Sequence, residues 1–134
     1  MTWQSIAGGA NGIVYYAYHY IFWKLKGEAY DNFYRAYCRV GEEVKGFIPV
    51  ILSVEPCASV IKVAPKFSCR MWKYQGETYL LVCNTTTEEI SGEIVMSARF
   101  EKVSGVLDPA SPVLNGDRLA VSLKPMGVAM LRLQ

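Results

Sequence analysis

Residues 6–23, Ile-Ala-Gly-Gly-Ala-Asn-Gly-Ile-Val-Tyr-Tyr-Ala-Tyr-His-Tyr-Ile-Phe-Trp, constrain the fold of this chain more tightly than any other stretch. Gly8, Gly9 and Gly12 interrupt whatever precedes them. The run from Ile13 to Tyr18 then stays apolar and aromatic without alternating. A strand wetted on one face alternates with polar residues. A strand buried on both faces does not, and parallel sheets demand that kind. His19, the only histidine, and Trp23 follow the tyrosines, so the strand ends in an aromatic mouth. Such a strand needs parallel neighbours that the remaining sequence barely supplies. The expectation is that this chain is the tail of something larger, with Thr2 to Ala10 the end of a helix stopped at Gly8-Gly9.

From Glu28 the period changes. Tyr30, Phe33, Tyr34, Tyr37, Val40, Val44, Phe47, Ile48 and Ile51 recur at three- and four-residue intervals, which marks one apolar stripe down a long helix. Asp31, Arg35, Arg39, Glu42, Glu43 and Lys45 make the opposite, solvated face. Gly41 and Gly46 weaken the helix, each by up to ~1 kcal/mol relative to alanine. Pro49 should end or kink it, so the helix is expected from about Glu28 to about Phe47, with a frayed or bent continuation. Packing this stripe on the rest of the chain would bury large side chains worth roughly 1.5–3 kcal/mol each.

Beyond a connection over Pro56–Pro65, which holds one short extended piece from Ser59 to Val63, the period falls to two. Phe67, Cys69 and Met71 alternate with Ser68, Arg70 and Trp72. Gln75-Gly76-Glu77 reads as a turn that sets Tyr74 opposite Thr78, so that Tyr79, Leu81 and Cys83 continue the inner face. Ile90, Ile94 and Met96 oppose Ser91, Glu93 and Ser97. Lys102 to Leu107, Leu119 to Leu123 and Val128 to Leu133 complete the strands, with Asn115-Gly116-Asp117 a hairpin signal. Short strands, each ended by its own turn chemistry, predict an antiparallel β-sandwich.

Composition removes several classes of function. Half the residues are hydrophobic, enough for a core, and the net charge is only +2. Basic residues cluster nowhere beyond Lys24-Leu25-Lys26, so charge does not argue for nucleic acid or an anionic membrane. Thr2 to Trp23 carries too many polar residues and glycines for a spanning helix and lacks the charged start of a signal peptide. If a parent protein is exported to the periplasm or beyond the cell, its targeting segment is expected upstream. Cys38, Cys57, Cys69 and Cys83 have no Cys-x-x-Cys spacing and one histidine to join them, so no metal site or cofactor is indicated. They read as free, mostly buried thiols. The turn register above would also set Cys69 opposite Cys83, a pairing in which a disulfide would be strained.

Strand, long helix, linker and sandwich, in that order, resemble the C-terminal end of a glycoside hydrolase built on a (β/α)8 barrel. Trp3-Gln4-Ser5 leading into Gly8-Gly9-Ala10-Asn11-Gly12-Ile13-Val14-Tyr15-Tyr16 looks like the last barrel helix, an alanine-or-glycine turn and strand eight. The helix from Glu28 would be helix eight. Leu119 to Leu133, through Lys124-Pro125-Met126-Gly127, is similar to the final hairpin of the sandwich that caps many such barrels. The resemblance implies residues 1–56 as a barrel-terminal strand and helix, a strand-helix remnant, and residues 57–134 as the sandwich. It also implies that the catalytic carboxylates follow strands four and seven, which are not in this sequence.

The chain's own acids agree with that absence. A glycosidase needs two carboxyl groups flanking one bond, and adjacent pairs such as Glu42-Glu43 and Glu88-Glu89 point apart. They read as solvated charges, and no catalytic residue is assigned. Residues just past the C-terminal end of a barrel strand line the active-site face, so Tyr18, His19 and Trp23 are the candidate substrate contacts, with flat rings suited to stacking on sugars. Trp72 and Tyr74, sharing a strand face with Arg70, form an alternative glycan-binding strip. The competing reading packs that face under the tyrosine-rich helix. Asn84-Thr85-Thr86 matches a glycosylation acceptor. Three functions are open at this level. One is a non-catalytic C-terminal accessory domain of a glycosidase, partnered by the remainder of the barrel and by carbohydrate. Another is a free-standing carbohydrate-binding module, and the third a structural or oligomerising domain pairing through Tyr30, Tyr34 and Tyr37.

Overall fold

A computed structural model describes residues 1–14, 23–107 and 111–134. The strand expected over Ile13–Tyr18 therefore lies largely outside the described residues. Of its start, Ile13 is half-buried and Val14 is exposed, neither in a strand.

Among the described residues two helices precede seven strands. Helix α1 spans Thr2–Ala7 and ends at Gly8, as the glycines dictate. Helix α2 spans Glu28–Ile51. Glu28 and Asp31 in its first turn complement the positive end of the helix dipole. Arg39–Glu43 at 3.0 Å and Lys45–Glu42 at 3.5 Å line its polar face. The helix does not stop at Phe47 but runs through Pro49. The proline sits in the last turn, where its missing N–H deprives only the Lys45 carbonyl of its donor four residues on. Buried Val50 and Ile51 hold that turn against the sheet.

The strands are β1 Val60–Val63, β2 Phe67–Tyr74, β3 Glu77–Asn84, β4 Ile90–Phe100, β5 Val103–Leu107, β6 Val113–Leu123 and β7 Val128–Leu133. They form a three-stranded sheet in the order β1-β4-β6 and a four-stranded sheet in the order β2-β3-β7-β5, with every pairing antiparallel. The molecule is thus mainly β, with two sheets facing each other in a sandwich-like arrangement and one long helix. Phe67, Met71, Leu80, Val82, Leu131 and Leu133 of the larger sheet meet Ile94, Met96, Leu119, Val121 and Leu123 of the smaller one in the first core. Ile90, Ile94 and Met96 face inward and Ser91, Glu93 and Ser97 outward, as their alternation required.

Three local expectations change. Gln75 and Gly76 alone turn the β2–β3 hairpin, both at positive φ (53° and 81°), so Tyr74 pairs with Glu77 and Cys69 with Val82. The slip of one residue moves Tyr79, Leu81 and Cys83 to the face away from the sandwich. Asn115-Gly116-Asp117 is not a hairpin but an interior stretch of β6. There Gly116, at φ +64°, pairs with Phe100 across an irregularity in the β4–β6 ladder. Finally, β6 and β7 lie in different sheets, so Lys124–Gly127 carries the chain across the sandwich and closes no hairpin.

A second core covers the far face of the four-stranded sheet. Trp3, Ile6 and Ala7 of α1 and Val50 and Ile51 of α2 pack on Trp72, Leu81, Cys83 and Met130. Val44 and Phe47 join from the side, the latter ring edge-on to Trp3 at 5.9 Å. Only this last part of the α2 stripe reaches the sheet. Higher up, Tyr30 stacks with Tyr34 and Phe33 with Tyr37, and Tyr34 is 45% exposed. The boundary expected at residues 56/57 falls in the connection between α2 and β1. That connection runs beside β2, Glu55 bridging Lys73 and the Cys57 thiol donating to the Met71 carbonyl.

Candidate functional site

Of the three residues expected to contact sugar, Tyr18 and His19 lie outside the described residues. Trp23 begins a helical turn and is 72% exposed, the one tryptophan whose ring is open to solvent. The alternative strip is not presented to solvent. Trp72 is 4% exposed, covered by α1 and the end of α2, and the Arg70 guanidinium lies 5.4 Å over its ring. Tyr74 is half-buried in the same core, its hydroxyl accepting from Gln75 Nε2 at 3.2 Å. This face is covered, as the competing reading had it, but by α1 and the last turns of α2 rather than by the tyrosine stretch of the helix.

Two open grooves flank α1. One, of about 610 Å³, lies between the start of α1, the middle of α2 and the edge of the four-stranded sheet. It is lined by Thr2, Trp3, Gln4, Arg39, Val40, Glu43, Leu107, Met126 and Val128, with Met1 at its mouth. The other, of about 320 Å³, runs between α1 with its glycine loop and the last turns of α2. Its lining is largely apolar, with Ile6, Ala10, Ile13, Val44, Ile48, Ile51 and Leu52 beside Thr2, Asn11 and Lys45. Volumes of this size admit a small ligand or a few side chains of a neighbour. Ile48 and Leu52 leave about half their surface exposed at the second groove.

Among the described residues the carboxylates make no acid/base pair. Glu42 and Glu43 are held by Lys45 and Arg39, Glu88 by Lys66 at 3.8 Å and Glu93 by Arg118 at 3.0 Å. Glu77 accepts from the Tyr79 hydroxyl (3.0 Å), Arg132 and Gln134. The Tyr79 hydrogen bond, with Arg132 and Gln134 behind it, holds its carboxyl below the usual range, whereas a general acid needs a raised one. The two thiols within the strands are unreactive. Cys69 and Cys83 face opposite cores, so no disulfide can join them, and burial pushes each up to about 12. Cys38 and Cys57, expected buried with them, are exposed. Among the described residues no cluster of metal-ligating side chains assembles.

Sequence reasoning missed Trp3. Trp3, Ile6 and Ala7 sit at helical spacing and pack into the second core, with Trp3 also lining the first groove and Ile6 the second. That spacing was a usable signal, hidden because Thr2–Ala10 read only as the end of a helix.

Compared with models of protein families, the chain matches none, and no curated protein matches it in sequence. Among the described residues no helix is long and apolar enough to cross a membrane.

Proposed function

We propose that this chain is the non-catalytic C-terminal accessory domain of a glycoside hydrolase, bracing a (β/α)8 barrel and lending Tyr18, His19 and Trp23 to its sugar site. One observation carries the reading. Helix α1 packs on the sheet along its length but α2 does so through its last turns, and between them an apolar groove is left beside the glycine loop, with Ile48 and Leu52 half-exposed. A neighbouring barrel helix seated there would cover those side chains, and α2 itself would serve as the eighth barrel helix. The lack of a carboxylate dyad among the described residues is compatible with a bracing role.

The reading frame upstream of Met1 provides the first test. It should encode seven strand–helix units with carboxylates after the fourth and seventh strands. The fused protein should hydrolyse aryl glycosides and the isolated chain should not. In the fused enzyme Trp23→Ala should raise KM several-fold. An upstream frame without strand–helix units, or full activity in a protein truncated before Thr2, would refute the proposal.

A further inference from the structure

We infer that the acceptor triplet Asn84-Thr85-Thr86 is a structural lock, and that an N-linked glycan on Asn84 and this fold exclude one another. The inference does not rest on the proposed function. Asn84 ends β3 at the pole where three connections cross between the sheets, and it has no exposed surface. Its Nδ2 donates to the carbonyls of Glu88 (2.6 Å), Lys124 (2.8 Å) and Leu123 (3.3 Å). Its Oδ1 accepts from the Thr86 backbone N–H and the Thr86 hydroxyl, both at 2.8 Å. One carboxamide therefore ties the β3–β4 connection to the β6–β7 connection. Thr85 extends the tie to the first crossing by donating twice to the Lys66 carbonyl, from its N–H and its hydroxyl.

Glycosylation would replace one of the two Nδ2 hydrogens by a bond to carbon. The remaining N–H cannot serve three carbonyls, so the fully buried Asn84 would lose bonds that tie the two connections together, which is destabilising. A sugar also needs space where Asn84 has none. The Thr86 hydroxyl, which must be free for the acceptor motif to be used, is committed to Asn84 itself. The same atoms cannot be acceptor and lock at once.

The test uses the purified chain, a soluble N-glycosyltransferase and its nucleotide-sugar donor. A peptide of residues 80–90 and the chain in urea serve as unfolded acceptors. Sugar transfer is expected to both unfolded acceptors and, over the same time, to be on the order of a hundredfold slower to the folded chain, limited by its opening. The modified chain should not regain the native melting transition after dilution from urea. Equal transfer to folded and unfolded chains, or native refolding with the sugar attached, overturns the inference. Two variants decide it without the enzyme. Thr86→Val destroys the motif but spares the three donated bonds, and should fold. Asn84→Asp turns an oxygen toward three carbonyl oxygens and should abolish the cooperative melt. An Asn84→Asp protein melting like the native one would equally sink the proposal.

Discussion

The two faces of the four-stranded sheet are built from the same strands and stabilised in different ways. Its sandwich face meets a second sheet, and almost every side chain there is aliphatic and fully buried. Its outer face meets two helix ends, and its core includes two tryptophans, Trp3 and Trp72, whose indole N–H groups find no acceptor among the described residues. The first core is closed by long-range strand pairing. The second depends on one short helix and the last turns of another. A β3 strand buried from Leu80 to Asn84 serves both. The sandwich is therefore expected to be the cooperative unit, and the helical layer an attachment that opens by itself.

The largest effect should separate the two. Leu131→Ala leaves a cavity in the first core, and should lower global stability by about 2–5 kcal/mol in a single urea transition. Trp3→Ala removes a larger side chain, yet should move the sandwich transition by less than about 1 kcal/mol. Its effect should appear in amide exchange, with protection lost at α1 and at Val44–Ile51 but kept in β3 and β7. Equal losses in both regions would show a single core.

Next in size is an alkaline transition, which reports each face through one thiol. Burial raises Cys69 and Cys83 from an ordinary value of 9.0 to about 12. Folding therefore disfavours both thiolates. Stability should be intact below pH 9 and erode as pH climbs from 9 toward 12, where the unfolded chain ionises first. Melting curves across that range should flatten in part for Cys69→Ala, the sandwich-side thiol. Cys83→Ala should flatten the part that arises under the helices. A protein whose thiols were bonded to each other would show neither effect.

What was legible follows the same division. Alternation at Ile90, Ile94 and Met96 identified the sandwich face, because the opposite side of β4 is wet. Leu80-Leu81-Val82-Cys83 gave no alternation to read, since both faces of β3 are covered. Nothing therefore warned that a two-residue turn at Gln75-Gly76, read as three, would invert the strand. The crossing at Lys124–Gly127 was equally invisible, because turn residues do not disclose which sheet the next strand joins. The candidate site was less legible. The strip at Trp72 and Tyr74 was recognised from its spacing, and the tyrosine-rich stripe supplied the reason to expect it covered. The packing role of Trp3, which helps to cover it, was missed. Tyr18 and His19 lie outside the described residues.

A smaller effect probes how firmly α2 is attached. Pro49→Ala restores a backbone donor to the Lys45 carbonyl and removes the ring that disfavours the helix interior. In the last turn this should add about 1 kcal/mol to the local stability of α2, partly offset by a freer unfolded chain. The gain should show as slower amide exchange at Gly46–Ile51. No change at the strands is expected, and a shift of the sandwich transition would join the two layers energetically.

The smallest effect belongs to Glu77, which pins Tyr79 and Arg132 at the rim of the helix-covered face. Its carboxyl lies below its ordinary 4.5, chiefly through the Tyr79 hydroxyl, then through Arg132 and Gln134. A depressed value means that the charged form favours the fold. The contribution should be complete above about pH 4.5 and vanish as pH falls through the folded-state value. Glu77→Gln keeps a hydrogen-bond acceptor but cannot titrate, so its melting temperature should fall less steeply than the native protein's below pH 4.5 while nearly matching it at pH 7. At neutral pH an exposed pair of this kind contributes little. A marked loss there would mean that Arg132, whose buried Nε meets no acceptor among the described residues, relies on Glu77 to keep the edge of the second core shut.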